Sequence, residues 1–98
     1  MFLTLWEYEV KRGSEELFER QYGPEGEWVH LFRRDARYRG TRLLRDMGAE
    51  RVYVTMDMWE SRAAYEQFRQ KWAKEYARID EKCEMLTSAE RQITGSES

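Results

Sequence analysis

Residues 2–10, Phe-Leu-Thr-Leu-Trp-Glu-Tyr-Glu-Val, form a run that has to be covered on both sides. The run is rich in strand formers, and its second half alternates apolar and charged residues, which predicts a β-strand. Successive side chains of a strand point to opposite faces. Trp6, Tyr8 and Val10 therefore share one face, while Leu3 and Leu5 lie on the other. Helices of the same chain are expected over one face. A second subunit is the simplest cover for the other, with Leu3 and Leu5 near the interface of a homodimer.

The rest of the chain supplies the covering elements. Lys11-Arg12-Gly13 ends the strand, Ser14 suits a helix N-cap, and Glu15 and Glu16 suit the positive end of a helix. Leu17, Phe18, Gln21 and Tyr22 share one side of that helix, and Gly23-Pro24-Glu25-Gly26 breaks it. Trp28, Leu31 and Phe32 predict a second helical segment to about Asp35. Tyr38 to Arg45 and Arg51 to Trp59 read as the strands of a hairpin. Ser61 is expected to cap one long helix with the stripe Tyr65, Phe68, Trp72, Tyr76, Ile79, Cys83 and Leu86. Glu90 to Thr94 is expected as a short last strand, and Gly95 to Ser98 as a frayed polar tail. The order β-α-β-β-α-β is the ferredoxin-like, split βαβ arrangement of the α+β class, with helices on one face of a four-stranded antiparallel sheet.

At 98 residues the chain is one domain, residues 1–98, with a modest core. Charged residues make up 37% with both signs interspersed and a net charge of −2, which excludes a polybasic or long acidic tail. The aromatic share of 14% exceeds what a minimal core requires, so some rings are free to line a cavity or an interface. The single cysteine, Cys83, allows no intrachain disulfide, and no run has the length of a membrane helix. The N-terminal run lacks the basic start and unbroken apolar stretch of a signal peptide, so a cytoplasmic protein is expected.

The stretch Leu5-Trp6-Glu7-Tyr8-Glu9-Val10-Lys11-Arg12-Gly13-Ser14-Glu15-Glu16 leads into Phe18. It is followed by Tyr22-Gly23-Pro24-Glu25-Gly26-Glu27-Trp28, by Leu31-Phe32-Arg33-Arg34 before Tyr38-Arg39-Gly40-Thr41, and by Trp59-Glu60-Ser61-Arg62-Ala63-Ala64-Tyr65. In these segments the chain resembles the antibiotic biosynthesis monooxygenase superfamily, the dimeric α/β barrel proteins. The resemblance spans nearly the whole chain. It implies two sheets packed face to face in a dimer and a cavity between each sheet and its helices. The family includes cofactor-independent oxygenases of aromatic polyketides, haem-degrading enzymes and members of unknown activity. The haem-degrading branch uses an Asn on the first strand, and a Trp and a His on the last long helix. The corresponding positions here hold Trp6, Phe68 and Arg78, so the resemblance points away from haem degradation.

Individual residues carry two readings each. Tyr65, Phe68, Trp72 and Tyr76 are plain core by their helical spacing, or they line an aromatic pocket with their polar tips turned inward. Trp6 is core or a bulky wall of that pocket. His30 points nearly opposite to Trp28 and Phe32 and is expected in solvent. A lone histidine argues against a His-based metal site or nucleophile system. Cys83 lies on the apolar stripe and is expected buried and inert. Arg33, Arg34, Arg37, Arg39, Arg42, Arg45 and Arg51 crowd one region, and a solvated surface is expected there rather than a nucleic-acid interface. Glu7 and Asp57 stand in central strands. They either pair with arginines at a dimer seam or face the pocket, where one would act as a general base. There is no phosphate loop or dinucleotide fingerprint.

The leading expectation is an oxygenase-like member of the superfamily. It binds a small, flat, apolar or phenolic molecule between sheet and helix, with no cofactor. Trp6, Tyr8, Phe68, Trp72 and Tyr76 would shape the pocket, and Arg78 would hold a developing anion. The alternative is a non-catalytic dimeric binding or structural protein, whose cavity is filled by its own side chains.

Overall fold

The computed structural model describes residues 1–97, and of residue 97 only the backbone; the expectation for Ser98 lies outside the described residues. The elements are β1 (Phe2–Val10), α1 (Glu15–Tyr22), α2 (Glu27–Phe32), β2 (Tyr38–Arg45), β3 (Val52–Trp59), α3 (Arg62–Lys71), α4 (Ala73–Cys83), a 3₁₀ turn (Glu84–Leu86) and β4 (Thr87–Glu97). The sheet has the order β2-β3-β1-β4 with every neighbouring pair antiparallel. This is the expected α+β, ferredoxin-like arrangement. Among the described residues no helix is long and apolar enough to cross a membrane.

Strand alternation sorts the sheet into two faces. Paired residues on neighbouring antiparallel strands share a face. One row across the sheet runs Tyr38, Trp59, Phe2; the next runs Thr41, Asp57, Thr4, Gly95; a third runs Leu43, Thr55, Trp6, Gln92. This face looks at the helices, and Phe2, Thr4, Tyr8, Val10, Tyr53, Thr55 and Trp59 are buried on it. The opposite face carries Leu3, Leu5, Glu7, Val54, Met56 and Met58, all half-buried, together with the exposed Leu44.

The helices bring two aromatic groups onto the inner face. Phe18 and Tyr22 of α1 stack at 4.1 Å and meet Tyr8 at 5.2 and 4.9 Å. At the other end Trp59 packs with Phe32, Tyr38, Tyr65 and Phe68, the last at 4.8 Å. Each buried Phe contributes roughly 1.5–3 kcal/mol through lost apolar exposure. Gly26 permits the sharp corner between α1 and α2, because a Cβ there would meet the Gln21 carbonyl oxygen at 2.1 Å. Ser61 caps α3 as expected, accepting the Ala64 N–H at 3.1 Å, a contact worth about 1 kcal/mol. Ser14 occupies the N-cap position of α1 without a side-chain cap; the Glu15 carboxylate instead accepts the Gly13 N–H at 2.6 Å.

Two expectations are corrected. The long helix is two helices, broken at Trp72, whose φ of −108° and ψ of 27° leave the helical region. On one side of the break α3 covers Phe2 and Trp59 through Tyr65 and Phe68; on the other, α4 meets Trp28 through Tyr76 at 4.7 Å. The last strand is longer than Glu90 to Thr94, and the tail up to residue 97 is paired rather than frayed. β1 offers backbone partners out to Phe2, and those hydrogen bonds depend on the main chain, not on the polar side chains of the tail. Leu5 pairs with Thr94 and Trp6 with Gln92, so Ile93 bulges out of register and is 41% exposed.

Candidate functional site

A cavity of about 320 Å3 lies between the inner sheet face and the helices. Its floor comes from the middle rows of the sheet: Thr41, Thr55 and Asp57, with Trp6 and Tyr8 of β1 and Glu90 and Gln92 of β4. Its roof comes from Tyr22, Trp28 and Phe32 of α1 and α2 and from Arg69, Tyr76 and Asp80 of α3 and α4. The volume suits a small ligand of a few rings at most.

Asp57 is the carboxylate of the floor. Thr41 and Thr4 flank it in the same row, on β2 and β1. The Thr41 hydroxyl donates to Asp57 Oδ1 at 2.7 Å, and Tyr38 hydrogen-bonds to the same Thr41 hydroxyl. Burial pushes the Asp57 carboxyl up to about 6, against the downward pull of the Thr41 and Thr4 hydroxyls. A carboxylate so poised exchanges a proton near neutral pH. Tyr8 and Tyr76 are raised above the usual phenol value, first by burial, and stay neutral. The Arg69 guanidinium lies 3.9 Å over the Tyr76 ring and donates to the Tyr65 hydroxyl at 2.8 Å. At the mouth, Asp80 and Glu90 are exposed, and Glu90 is raised by burial and then by the charges of Asp80 and Glu84.

The structure brings together Trp6, Tyr8 and Tyr76 of the expected pocket residues. The other three stand elsewhere. Phe68 is 0% exposed and packs on Trp59 and Phe32. Trp72 is half-buried at the helix break, with the Arg34 guanidinium 4.9 Å from its ring. Arg78 is exposed on α4 and is not part of the cavity wall. The reason is rotational: the apolar stripe Phe68, Ile79, Cys83 is driven into the core, and the flank beside it, Arg69, Tyr76 and Asp80, borders the cavity. Arg69 stands one position beyond Phe68, off the apolar stripe, so apolar spacing does not single it out.

Glu7 and Asp57 separate. Glu7 is on the outer sheet face and accepts from Arg91 at 3.0 Å, while Asp57 faces the cavity. The parity of Asp57 with Tyr53, Thr55 and Trp59 along β3 is the sequence signal for its side. His30 is exposed and Cys83 is 1% exposed. The arginine-rich region is surface: Arg33, Arg34, Arg39, Arg42 and Arg45 are exposed, and Arg37 and Arg39 pair with Asp35 and Glu60 at 2.9 and 2.7 Å. Among the described residues no group of three or more His, Cys, Asp and Glu is placed to hold a metal ion. Among the described residues the cavity wall has no His or Cys to ligate a haem iron, so these residues do not fit haem held by a histidine or a thiolate.

Solved structures share this fold. The cofactor-independent oxygenase SnoaB from Streptomyces nogalater, in a mutant form, superposes with a TM-score of 0.75 at 14% identity, covering 99% of this chain and 91% of that one. MhuD, in a mutant form with two manganese protoporphyrin IX molecules bound per active site, has a TM-score of 0.75 at 18% identity, covering 100% and 94%. PA3566 from Pseudomonas aeruginosa has a TM-score of 0.70 at 16% identity, covering 99% and 92%. No curated protein matches the chain significantly in sequence. Residues 1–78 match the family described as antibiotic biosynthesis monooxygenase. A match over that share of the chain, joined to the βαββαβ sheet and its helix-roofed cavity, makes this protein a member of the antibiotic biosynthesis monooxygenase family.

Proposed function

We propose that the protein binds a small, flat aromatic molecule with an acidic ring hydroxyl in the cavity over Asp57, and oxygenates it without a cofactor. The observation that carries this reading is the floor carboxylate itself. Asp57 faces an open, aromatic-walled space, and its burial pushes the carboxyl up to about 6. Trp6, Tyr8 and Tyr76 offer ring surfaces to the ligand. Asp57 takes the proton of the ring hydroxyl, and the phenolate so formed is electron-rich enough to react with dioxygen. In one balanced outcome a ring methylene becomes a carbonyl. One oxygen atom enters the ring, and the other leaves as water with both methylene hydrogens, so no outside reductant is consumed. A cavity filled by its own side chains would have favoured the non-catalytic alternative; the open volume favours binding.

The test is a thermal melt of the protein with hydroxylated polycyclic aromatics and quinones, followed by oxygen-uptake measurement with any compound that raises Tm. Asp57→Asn should keep most of the binding and lose the oxygen uptake. Absence of any Tm shift across the panel would sink the binding reading. Binding without oxygen uptake would leave a binding protein.

We further propose that two copies pair through the outer sheet face. Leu3, Leu5, Val54, Met56 and Leu44 form an apolar area on that face, and such an area is normally covered in a stable protein.

A further inference from the structure

The charges around the cavity are unbalanced. Three carboxylates border it, Asp57, Asp80 and Glu90, against one guanidinium, Arg69. That guanidinium is held by the Tyr76 face at 3.9 Å and the Tyr65 hydroxyl at 2.8 Å and also feels the charge of Asp80, so at most one of the three negative charges is offset. Asp80 and Glu90 make no ion pair among the described residues, although other surface acids such as Glu27 and Glu60 have found partners. Asp80 of α4 and Glu90 of β4 both border the cavity and are both exposed, which puts two carboxylates at its solvent-facing side. The neighbouring walls are the aromatic side chains of Trp6, Tyr8 and Tyr76, with Arg69 already over one face of Tyr76. Aromatic rings and carboxylates attract the same kind of group, an organic cation such as an ammonium.

We propose, building on the binding reading above, that the aromatic ligand of this cavity carries a protonated amine, seated at the mouth between Asp80 and Glu90. The ring then lies inward on Trp6 and Tyr76, and the ring hydroxyl points down to Asp57. An aromatic carboxylate of the same size is rejected, because its charge would meet two like charges at the mouth. The aromatic walls make the site, and the two mouth acids decide the charge it accepts.

The experiment compares three naphthols of one size, bearing an aminomethyl, a hydroxymethyl or a carboxyl group. Calorimetric titration into the full chain at low salt gives each Kd. The aminomethyl compound should bind about tenfold tighter than the hydroxymethyl one, and the carboxyl compound weakest. Combining Asp80→Asn with Glu90→Gln, both at exposed positions, should abolish that preference while binding of the hydroxymethyl compound persists. Equal affinities for the amine and the neutral compound, or a preference for the carboxylate, overturn the charge inference and leave the binding reading standing. An amine preference that survives in the double variant also overturns it. If none of the three binds, both readings fall.

Discussion

Thr41 and Asp57 face each other across the β2–β3 seam, and the Thr41 hydroxyl donates to Asp57 Oδ1 at 2.7 Å. The bond is made to the charged form of the carboxyl and holds it down against the effect of burial. Thr41→Val removes the donor while keeping the shape. The Asp57 carboxyl should then titrate above its present value of about 6. Thr41→Ser should restore it. Carboxyl-carbon NMR titration of the three proteins reads this directly, and an unchanged Asp57 in Thr41→Val would show that the hydroxyl does not support the charge.

Asp57 also makes stability depend on pH. Its folded-state value, about 6, lies above that of an unfolded aspartate. The folded chain therefore binds the proton more tightly, and the contribution is fully present below about pH 4, where both states are protonated. It is lost as pH rises through the folded value, at a cost on the order of 2–3 kcal/mol. Asp57→Asn should melt several degrees higher than wild type at alkaline pH and close to it in acid. Parallel melting curves across the whole range would contradict a buried, raised carboxyl.

Trp72 and Phe68 differ in burial, and their truncations should differ accordingly. Phe68 is 0% exposed, so Phe68→Ala should cost about 3–5 kcal/mol. Trp72 is half-buried under Arg34, so Trp72→Ala should cost less, about 1–3 kcal/mol. Neither borders the cavity, so Trp72→Phe should leave the affinity for a naphthol unchanged. Weaker binding in Trp72→Phe with an unaltered melt would put the indole against the ligand instead.

Leu5 tests the pairing of two sheets. It stands on the outer face of a central strand, paired with Met56 and Thr94. In a face-to-face dimer Leu5→Lys would bury an ammonium without a partner. Sedimentation should show the wild type as a dimer at micromolar concentration and Leu5→Lys shifted towards monomer. A monomeric wild type would end the proposal.

Local pattern carried most of the fold. Alternation in residues 2–10 put Tyr8 and Val10 inside and Leu3 and Leu5 outside, because a strand has only two sides and a two-residue period. Gly23 to Gly26 broke the first helical region where the backbone leaves no room for a Cβ at Gly26. Ser61 marked a helix start because its side chain satisfies an N–H that the helix cannot. These are contacts within a few residues, and the chain order β-α-β-β-α-β follows from them.

The site depended on contacts distant in sequence. Asp57 faces the cavity rather than an arginine because its row places it between Thr41 and Thr4 from two other strands. Arg69, Tyr76 and Asp80 border the cavity, and Phe68 does not, because α3 and α4 settle with their apolar stripe pressed into the aromatic core. Helical spacing names a stripe, but only packing against the sheet sets the rotation that decides which flank remains beside open space. The break at Trp72 likewise has no Gly or Pro to announce it; α3 packs on Trp59 of the sheet through Phe68, while α4 meets Trp28 of α2 through Tyr76.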